Sequence, residues 1–343
     1  MVRLSVVVPC FNEQAVLPET ARQLDRLLSD MVNRQIISSD SQVWFVDDGS
    51  RDQTWNLIER FSAESERFAG VRLSRNQGHQ SALLAGLEAA NGDAIVTVDA
   101  DLQDDLGMIE KMLECHSRGA EIVYGVRRSR DTDTFFKRTS ARAFYRFLGM
   151  MGVDVVFDHA DYRLMSRRAV DALFSFSEVN LYLRGVVPRL GFKTDRVYYD
   201  RAERFAGESK YPLRKQLGLA LDGITSFSAV PLRLIALLGA LVFFVSLVLS
   251  TWVLGVRLFT VQAIPGWAST TLAIYLLGGV QLFCMGVLGE YLAKIYMETK
   301  RRPRYFFDQV IGRRSAVNQG VLVEPFDLAG SDQPNPGEIT RRA

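Results

Sequence analysis

The sequence predicts an α/β fold, a mainly parallel sheet with helices on both faces, followed by a C-terminal two-helix transmembrane hairpin. Three observations carry that prediction. Short β-branched runs alternate with segments of helical period from residue 3 to about residue 125; three of those runs finish in acidic or special residues; and two long apolar stretches stand near the C-terminus. Alternating βα units of this size bury a parallel sheet between layers of helix, because each crossover helix has to cover one face of the sheet.

The strands read as LSVVVP (4–9), QVWFVDD (42–48), GVRLS (70–74), AIVTVD (94–99) and EIVYGV (121–126). Between them apolar positions recur at helical spacing over 15–28, 54–64, 81–90 and 108–118. Asp104 or Asp105 is placed to cap the helix that starts at Met108. Residues 134–150, TFFKRTSARAFYRFLGM, mix aromatic with basic side chains. Two readings stand open there: a helix lying in a membrane headgroup region, or a helix packed on the sheet with a solvated basic face. Residues 211–233 read as an interfacial amphipathic helix that leads into the hairpin, and the end of the chain, with DQPNPGE, has no apolar period and reads as partly disordered.

The apolar stretches, residues 234–256 and 267–289, each exceed the roughly 20 largely uncharged residues that a helix needs to cross a bilayer. A Pro265-Gly266 turn joins them. Basic residues crowd the outer flanks, among them Arg214, Lys215 and Arg233 before and Lys300, Arg301 and Arg302 after. The positive-inside bias then puts both termini in the cytoplasm of an inner-membrane protein with two spans. Gly278, Gly279, Gly286 and Gly289 allow close helix contact and a homo-oligomer. Few polar residues interrupt the pair, which excludes a conducting path. The expected organisation is a cytoplasmic domain (1–210), the interfacial helix (211–233), the spans (234–256 and 267–289) and a cytoplasmic C-terminal segment (290–343).

The formal charge of +2, from 41 Lys and Arg against 39 Asp and Glu, carries no signature of a nucleic-acid binder. Three cysteines without a C-x-x-C pair fit a reducing compartment and exclude a thiolate metal site. The histidines lack the i, i+4 pairing of a zinc site, and none is assigned a role.

The chemistry concentrates in VTVDADLQDD (96–105), where Asp99, Asp101, Asp104 and Asp105 crowd the end of a strand. Carboxylates this close repel one another unless something positive sits among them. Hard divalent cations, Mg²⁺ or Mn²⁺, take carboxylate and amide oxygens and leave positions open for substrate phosphates. Asp99 and Asp101 straddle Ala100, and Gln103 adds an amide oxygen. After the first strand stands PCFNE, where a dinucleotide-binding dehydrogenase would carry G-x-G-x-x-G; a Walker motif is also absent.

Taken in order, VVVPCFNE, VDDGSRDQT, LSRNQGHQSALLAGLEAANGD and VDADLQ resemble the family 2 inverting glycosyltransferases of GT-A (Rossmann-like) fold. HADYRLMSRRAVDAL (159–173) and RFAGESKYPLRKQLGLALDGITSFSAVPLR (204–233) extend the resemblance to the polyprenyl-phosphate branch, which includes bactoprenol glucosyltransferases and dolichol-phosphate mannose synthases. The resemblance implies that Pro9, Phe11, Glu13 and Asp47 hold the base and ribose of a nucleotide sugar, with Ala100 against the nucleotide. It implies a metal and diphosphate site at Asp99, Asp101 and Gln103, phosphate-directed positives at Arg127, Arg204 and Lys210, and a catalytic carboxylate at Asp161 beside Arg163. Asp161 either takes the last proton or orients a substrate group; both readings stay open.

The expected activity is hexosyl transfer, from UDP-glucose first, to undecaprenyl phosphate, for cell-envelope glycan and O-antigen modification of lipopolysaccharide. Other expected donors are UDP-4-deoxy-4-formamido-arabinose, UDP-N-acetylhexosamine and GDP-mannose. A processive synthase would carry Q-x-x-R-W, which none of the four tryptophans supplies. A non-catalytic membrane adaptor would not need Asp99, Asp101 and Asp161 intact.

Overall fold

The computed structural model describes residues 1–127, 159–176, 178, 183–200, 230–259 and 267–312. Within them the strands are β1 (Leu4–Cys10), β2 (Gln42–Asp47), β3 (Phe68–Leu73), β4 (Ala94–Thr97), β5 (Ile122–Arg127), β6 (His159–Ser166), β7 (Thr194–Tyr199) and β8 (Phe307–Ile311). The helices are α1 (Leu17–Asn33), α2 (Thr54–Glu64), α3 (His79–Ala89), α4 (Met108–Ser117), α5 (Arg167–Phe174), α6 (Leu183–Arg189), α7 (Val230–Phe259) and α8 (Trp267–Lys300).

One sheet runs β7-β5-β6-β4-β1-β2-β3-β8. β1 pairs in parallel with β2 and β4, β2 with β3, and β5 with β7. The antiparallel members are β6, wedged between β4 and β5, and β8 on the edge beside β3. β1 is buried on both faces, as a central parallel strand must be, and its side chains alternate between two cores. Leu4, Val6 and Val8 meet α1, α2 and α4 on one side, while Val7 meets α3 on the other, where α5 and α6 also pack. The expected sheet with helices on both faces is therefore present, but as a mixed sheet: it is parallel through β4-β1-β2-β3 and antiparallel where β6 and β8 join it.

Gly86 shows how close α3 lies: a Cβ there would stand 2.3 Å from Val7 Cγ1 and 2.8 Å from Val46 Cγ2. This contact fixes the height of α3, whose first turn sits at the carboxyl ends of the strands.

β6, β7 and β8 were not legible as strands. β6 carries Asp161 and Arg163 inside a buried run, so the apolar pattern is broken by groups that neutralise each other. β7 alternates exposed with covered positions, and β8 is partly covered at its ends and exposed at Asp308 and Gln309, as sheet-edge strands are. The expected cap of α4 is corrected in part: its N-cap residue is Gly107, with no side-chain capping bond of its own, and Asp104 lies buried elsewhere, while Asp105 Oδ1 accepts the Gly107 N–H at 2.9 Å at the helix entry.

The two apolar stretches fall in α7, of 30 residues, and α8, of 34. Among the described residues no helix is long and apolar enough to cross a membrane, so the two spans are not established by the structure. Both helices nonetheless present large apolar side chains outward, Leu237 at 69% exposure and Phe244 at 66% among them. Residues 134–150, 211–229 and 313–343, with the expected site residues Arg204 and Lys210, lie outside the described residues.

Candidate active site

The site forms at the carboxyl ends of the central strands, where open α/β sheets bind ligands. At the end of β1, Pro9 is buried against Val46, Phe11 is 45% exposed, and Glu13 is partly covered. Asn12, with φ +56°, turns the chain so that its backbone N–H donates to Ser50 Oγ and its side-chain oxygen accepts from the Arg51 N–H. The Glu13 N–H donates to Thr54 Oγ1 at 2.9 Å. These bonds stitch the β1 and β2 ends into one wall.

Asp47 closes β2 fully buried. Its Oδ1 accepts the Ser50 N–H at 3.1 Å, and its Oδ2, 3.8 Å from Arg72 Nε, has no hydrogen-bond partner among the described residues. Burial pushes its carboxyl up from the ordinary value, against the hydrogen bonds from Ser50. Asp48 turns the other way and accepts the N–H groups of Gln77 and Gly78 at 2.7 and 2.9 Å.

After β4 the chain carries Asp99, buried Ala100, Asp101, and then Leu102 at φ +57°. A left-handed leucine is a strained conformer of the kind that gathers at ligand sites. The turn lets Asp101 Oδ1 accept the Gln103 N–H at 3.2 Å, and Thr20 Oγ1 donates to the Ala100 carbonyl at 2.8 Å. Burial and the neighbouring carboxylates Asp104, Asp161 and Asp101 push Asp99 up to about 6, with His79 pulling the other way. Asp99 is thus an acid whose ionised form its surroundings disfavour.

The donor set fits a divalent cation, with a limit. Asp99 and Asp101 offer hard oxygens, and the raised carboxyl of Asp99 marks a place where added positive charge is stabilising. Among the described residues, however, no three His, Cys, Asp or Glu side chains converge as a ready-made metal cage. A cation here would need the diphosphate oxygens of a substrate to complete its shell, the habit of Mg²⁺-type sites.

Asp161, on β6, is the most strongly held acid. Arg163 Nη2 donates to its Oδ1 at 2.6 Å, Arg184 Nη2 to its Oδ2 at 3.0 Å, and His79 Nε2 lies 3.5 Å from Oδ2. Burial alone would raise this carboxyl; the contact with His79 and the two guanidinium charges outweigh it and hold Asp161 well below the usual carboxylate range. Arg163 is 2% exposed, so its pair with Asp161 is shut away from water.

The structure thus brings Asp99, Asp101, Gln103 and Asp161 to one end of the sheet, and joins Arg163 to Asp161 as the sequence suggested. Arg127 reaches Asp104 instead, at 3.4 Å, with Tyr199 donating its hydroxyl to the same carboxylate oxygen. Two residues were missed. His79, assigned no role from the sequence, also stands 3.6 Å from Asp99 Oδ1; Arg184 comes from α6. The only sequence signal for His79 was its place in the quoted NQGHQS stretch, and Arg184 had none.

Residues 5–174 match the model of glycosyl transferase family 2. The chain is 48% identical over 311 residues to the Bacillus subtilis glycosyltransferase YkoT, covering 89% of this chain and 91% of that one. It is 37% identical to the bactoprenol glucosyl transferase of Shigella phage SfX, covering 88% and 98%. It is also 37% identical to the prophage bactoprenol glucosyl transferase homolog of Escherichia coli, covering 90% and 99%. Among solved structures, glucosyl-3-phosphoglycerate synthase from Mycobacterium tuberculosis, crystallised with Mn²⁺, UDP and phosphoglyceric acid, aligns at TM-score 0.43 and 21% identity, covering 65% of this chain and 76% of that one. The chain belongs to glycosyl transferase family 2, and it is a glycosyltransferase.

Proposed function

We propose that this enzyme moves glucose from UDP-glucose to undecaprenyl phosphate at the cytoplasmic face of a bacterial inner membrane, with inversion at the anomeric carbon, for cell-envelope glycan modification. The observation that carries the proposal is the clamp on Asp161. A hydroxyl acceptor needs a general base whose pKa lies near the working pH. Asp161 is held far below that by Arg163, Arg184 and His79, so it is ionised but has little affinity for a proton. A phosphomonoester needs no such base, because its second pKa is about 6 and it is mostly ionised near neutrality. Asp161 therefore orients, and the arginines on it offset its repulsion of an incoming phosphate. The relatives called bactoprenol glucosyl transferases support the same acceptor and sugar.

On the donor side, Pro9, Phe11, Glu13 and Asp47 take the base and ribose, with Ala100 as floor. Asp99, Asp101 and Gln103 hold Mg²⁺ or Mn²⁺, which when bound neutralises charge building on the departing diphosphate. Arg127, Arg204 and Lys210 add positive charge toward the phosphates.

The α7–α8 pair holds the enzyme at the membrane with both termini cytoplasmic, supported by the outward apolar side chains of both helices and the basic flanks. Keeping the site at the surface where the lipid phosphate lies raises its effective concentration.

The test incubates the full-length protein in detergent with undecaprenyl phosphate, Mn²⁺ and each of four labelled donors: UDP-glucose, UDP-N-acetylglucosamine, UDP-4-deoxy-4-formamido-arabinose and GDP-mannose. Labelled lipid formed fastest from UDP-glucose is the expected result. Faster labelling from another donor overturns the sugar, and labelling from none overturns the acceptor.

A further inference from the structure

We propose that His79 is a positioning residue that ties the donor half of the site to the acceptor half, and that the stretch SRNQGHQ (74–80) is built to hold it there. The proposal rests on the transferase reading of Asp99 and Asp161 given above.

His79 Nε2 stands 3.6 Å from Asp99 Oδ1 and 3.5 Å from Asp161 Oδ2. That nitrogen, which carries at most one N–H, stands almost equally far from both carboxylates. One sits beyond the end of β4 on the metal and diphosphate side; the other belongs to β6 on the acceptor side. With 43% of its side chain exposed, His79 has an open route to solvent, yet it points at the acids.

Three features hold it from behind. Asp48, 3% exposed, accepts the N–H groups of Gln77 and Gly78 and so fixes the turn before α3. Gly78 occupies φ +90°, which lets that turn enter the helix directly at His79. Gly49, at φ +68°, lies so close beneath the turn that a Cβ would stand 2.7 Å from Arg75 C and Asn76 N.

The next residue extends the device. Gln80 Oε1 accepts the Leu183 N–H at 3.2 Å, at the first residue of α6. The residue after Leu183 is Arg184, the second outer partner of Asp161. Neighbouring side chains of one helical turn thus set both groups that close on Asp161 from the solvent side. A shift of about 1 Å in such a frame is enough to cost on the order of 100-fold in rate without touching the reacting atoms.

The test uses full-length His79→Ala, His79→Gln, Asp161→Asn and the His79→Ala/Asp161→Asn double variant. In transfer from UDP-glucose to undecaprenyl phosphate, His79→Ala is expected to lower kcat about 10- to 100-fold while both KM values stay within about threefold, and His79→Gln, which keeps an N–H donor, recovers part of the loss. A merely structural histidine would lower the melting temperature and leave kcat per folded molecule unchanged; that outcome overturns the proposal. A second readout needs no turnover: apoprotein melting temperatures are expected to be non-additive, the double variant losing less than the sum of the two single losses. Additive losses overturn the coupling. If the wild-type protein labels no lipid, the transferase reading falls, and the melting cycle still decides whether His79 and Asp161 act together.

Discussion

Replacing Asp161 with Asn removes one negative charge from among Arg163, Arg184 and His79 while keeping the size of the side chain and one acceptor oxygen. Breaking a buried ion pair costs about 3–5 kcal/mol, because the surviving charge is left buried. Arg163, at 2% exposure, meets that condition; Arg184 and His79 keep 41% and 43% of their side-chain surface and each contributes less, on the order of 1 kcal/mol. The retained oxygen puts the expected loss at the lower end, about 3 kcal/mol. For a domain of this size each kcal/mol moves the melting temperature by roughly 2–4 °C, so the drop is about 6–12 °C.

The pH dependence follows from the direction of the shift. The carboxyl of folded Asp161 lies well below its unfolded value of about 3.9. Its stabilisation is fully present above that unfolded value and is lost only as pH falls through the lower, folded one. Two neighbours titrate inside the working range: burial lowers the His79 imidazole but Asp161 and Asp99 raise it above its ordinary value, and Asp99, raised to about 6 by burial first, is raised in part by Asp161. In thermal melts of the detergent-solubilised protein the gap between wild type and variant is therefore expected to narrow as pH rises from roughly 5.5 to 8. A gap under about 2 °C near pH 5.5, or one that widens as pH rises, would refute the reasoning.

Asp99 behaves in the opposite sense: its carboxyl stays protonated up to about 6 in the fold, so the cost of ionising it is absent below its unfolded value of about 3.9 and fully present above 6. Asp99→Asn should raise the apoprotein melting temperature near pH 7.5, with the gain gone in acid and no further rise on adding Mn²⁺; a variant less stable than wild type at neutral pH would contradict this. Gly49→Ala places a Cβ at φ +68° against the backbone of Arg75 and Asn76; a left-handed non-glycine residue alone costs about 1–2 kcal/mol, so the urea midpoint should fall, and an unchanged midpoint speaks against the tight turn. The exposed apolar side chains of α7 and α8 should keep the full-length protein in the membrane pellet through alkaline carbonate washing. Release into the supernatant would remove the anchor.

Those parts of the fold whose cause is local were legible in the sequence. β1, β2 and β4 are β-branched runs flanked by polar turns, and α2 has the bounds its apolar period predicts. The D-x-D turn was legible because like charge at a strand end has few uses. Asp161 and Arg163 came from motif resemblance, and their side chains do meet. What was hidden depends on strand order. β6 inserts antiparallel between β4 and β5, and no local period announces that insertion. It sets Asp161 below the first turn of α3 and beside α6, which is why His79 and Arg184 could not be read as neighbours. Asp104 looked like a helix cap because caps are judged by spacing, yet Arg127 and Tyr199 give it charged and hydroxyl donors at the expense of the helix end.

The central claim is that the acceptor must arrive already ionised, because Asp161 is held too tightly to act as a base. Its most direct test compares undecaprenyl phosphate with undecaprenol as acceptors for labelled glucose from UDP-glucose, at saturating Mn²⁺ and equal lipid concentration. Transfer to the phosphate with none to the alcohol is the predicted result; transfer to the alcohol at a comparable rate would contradict the account.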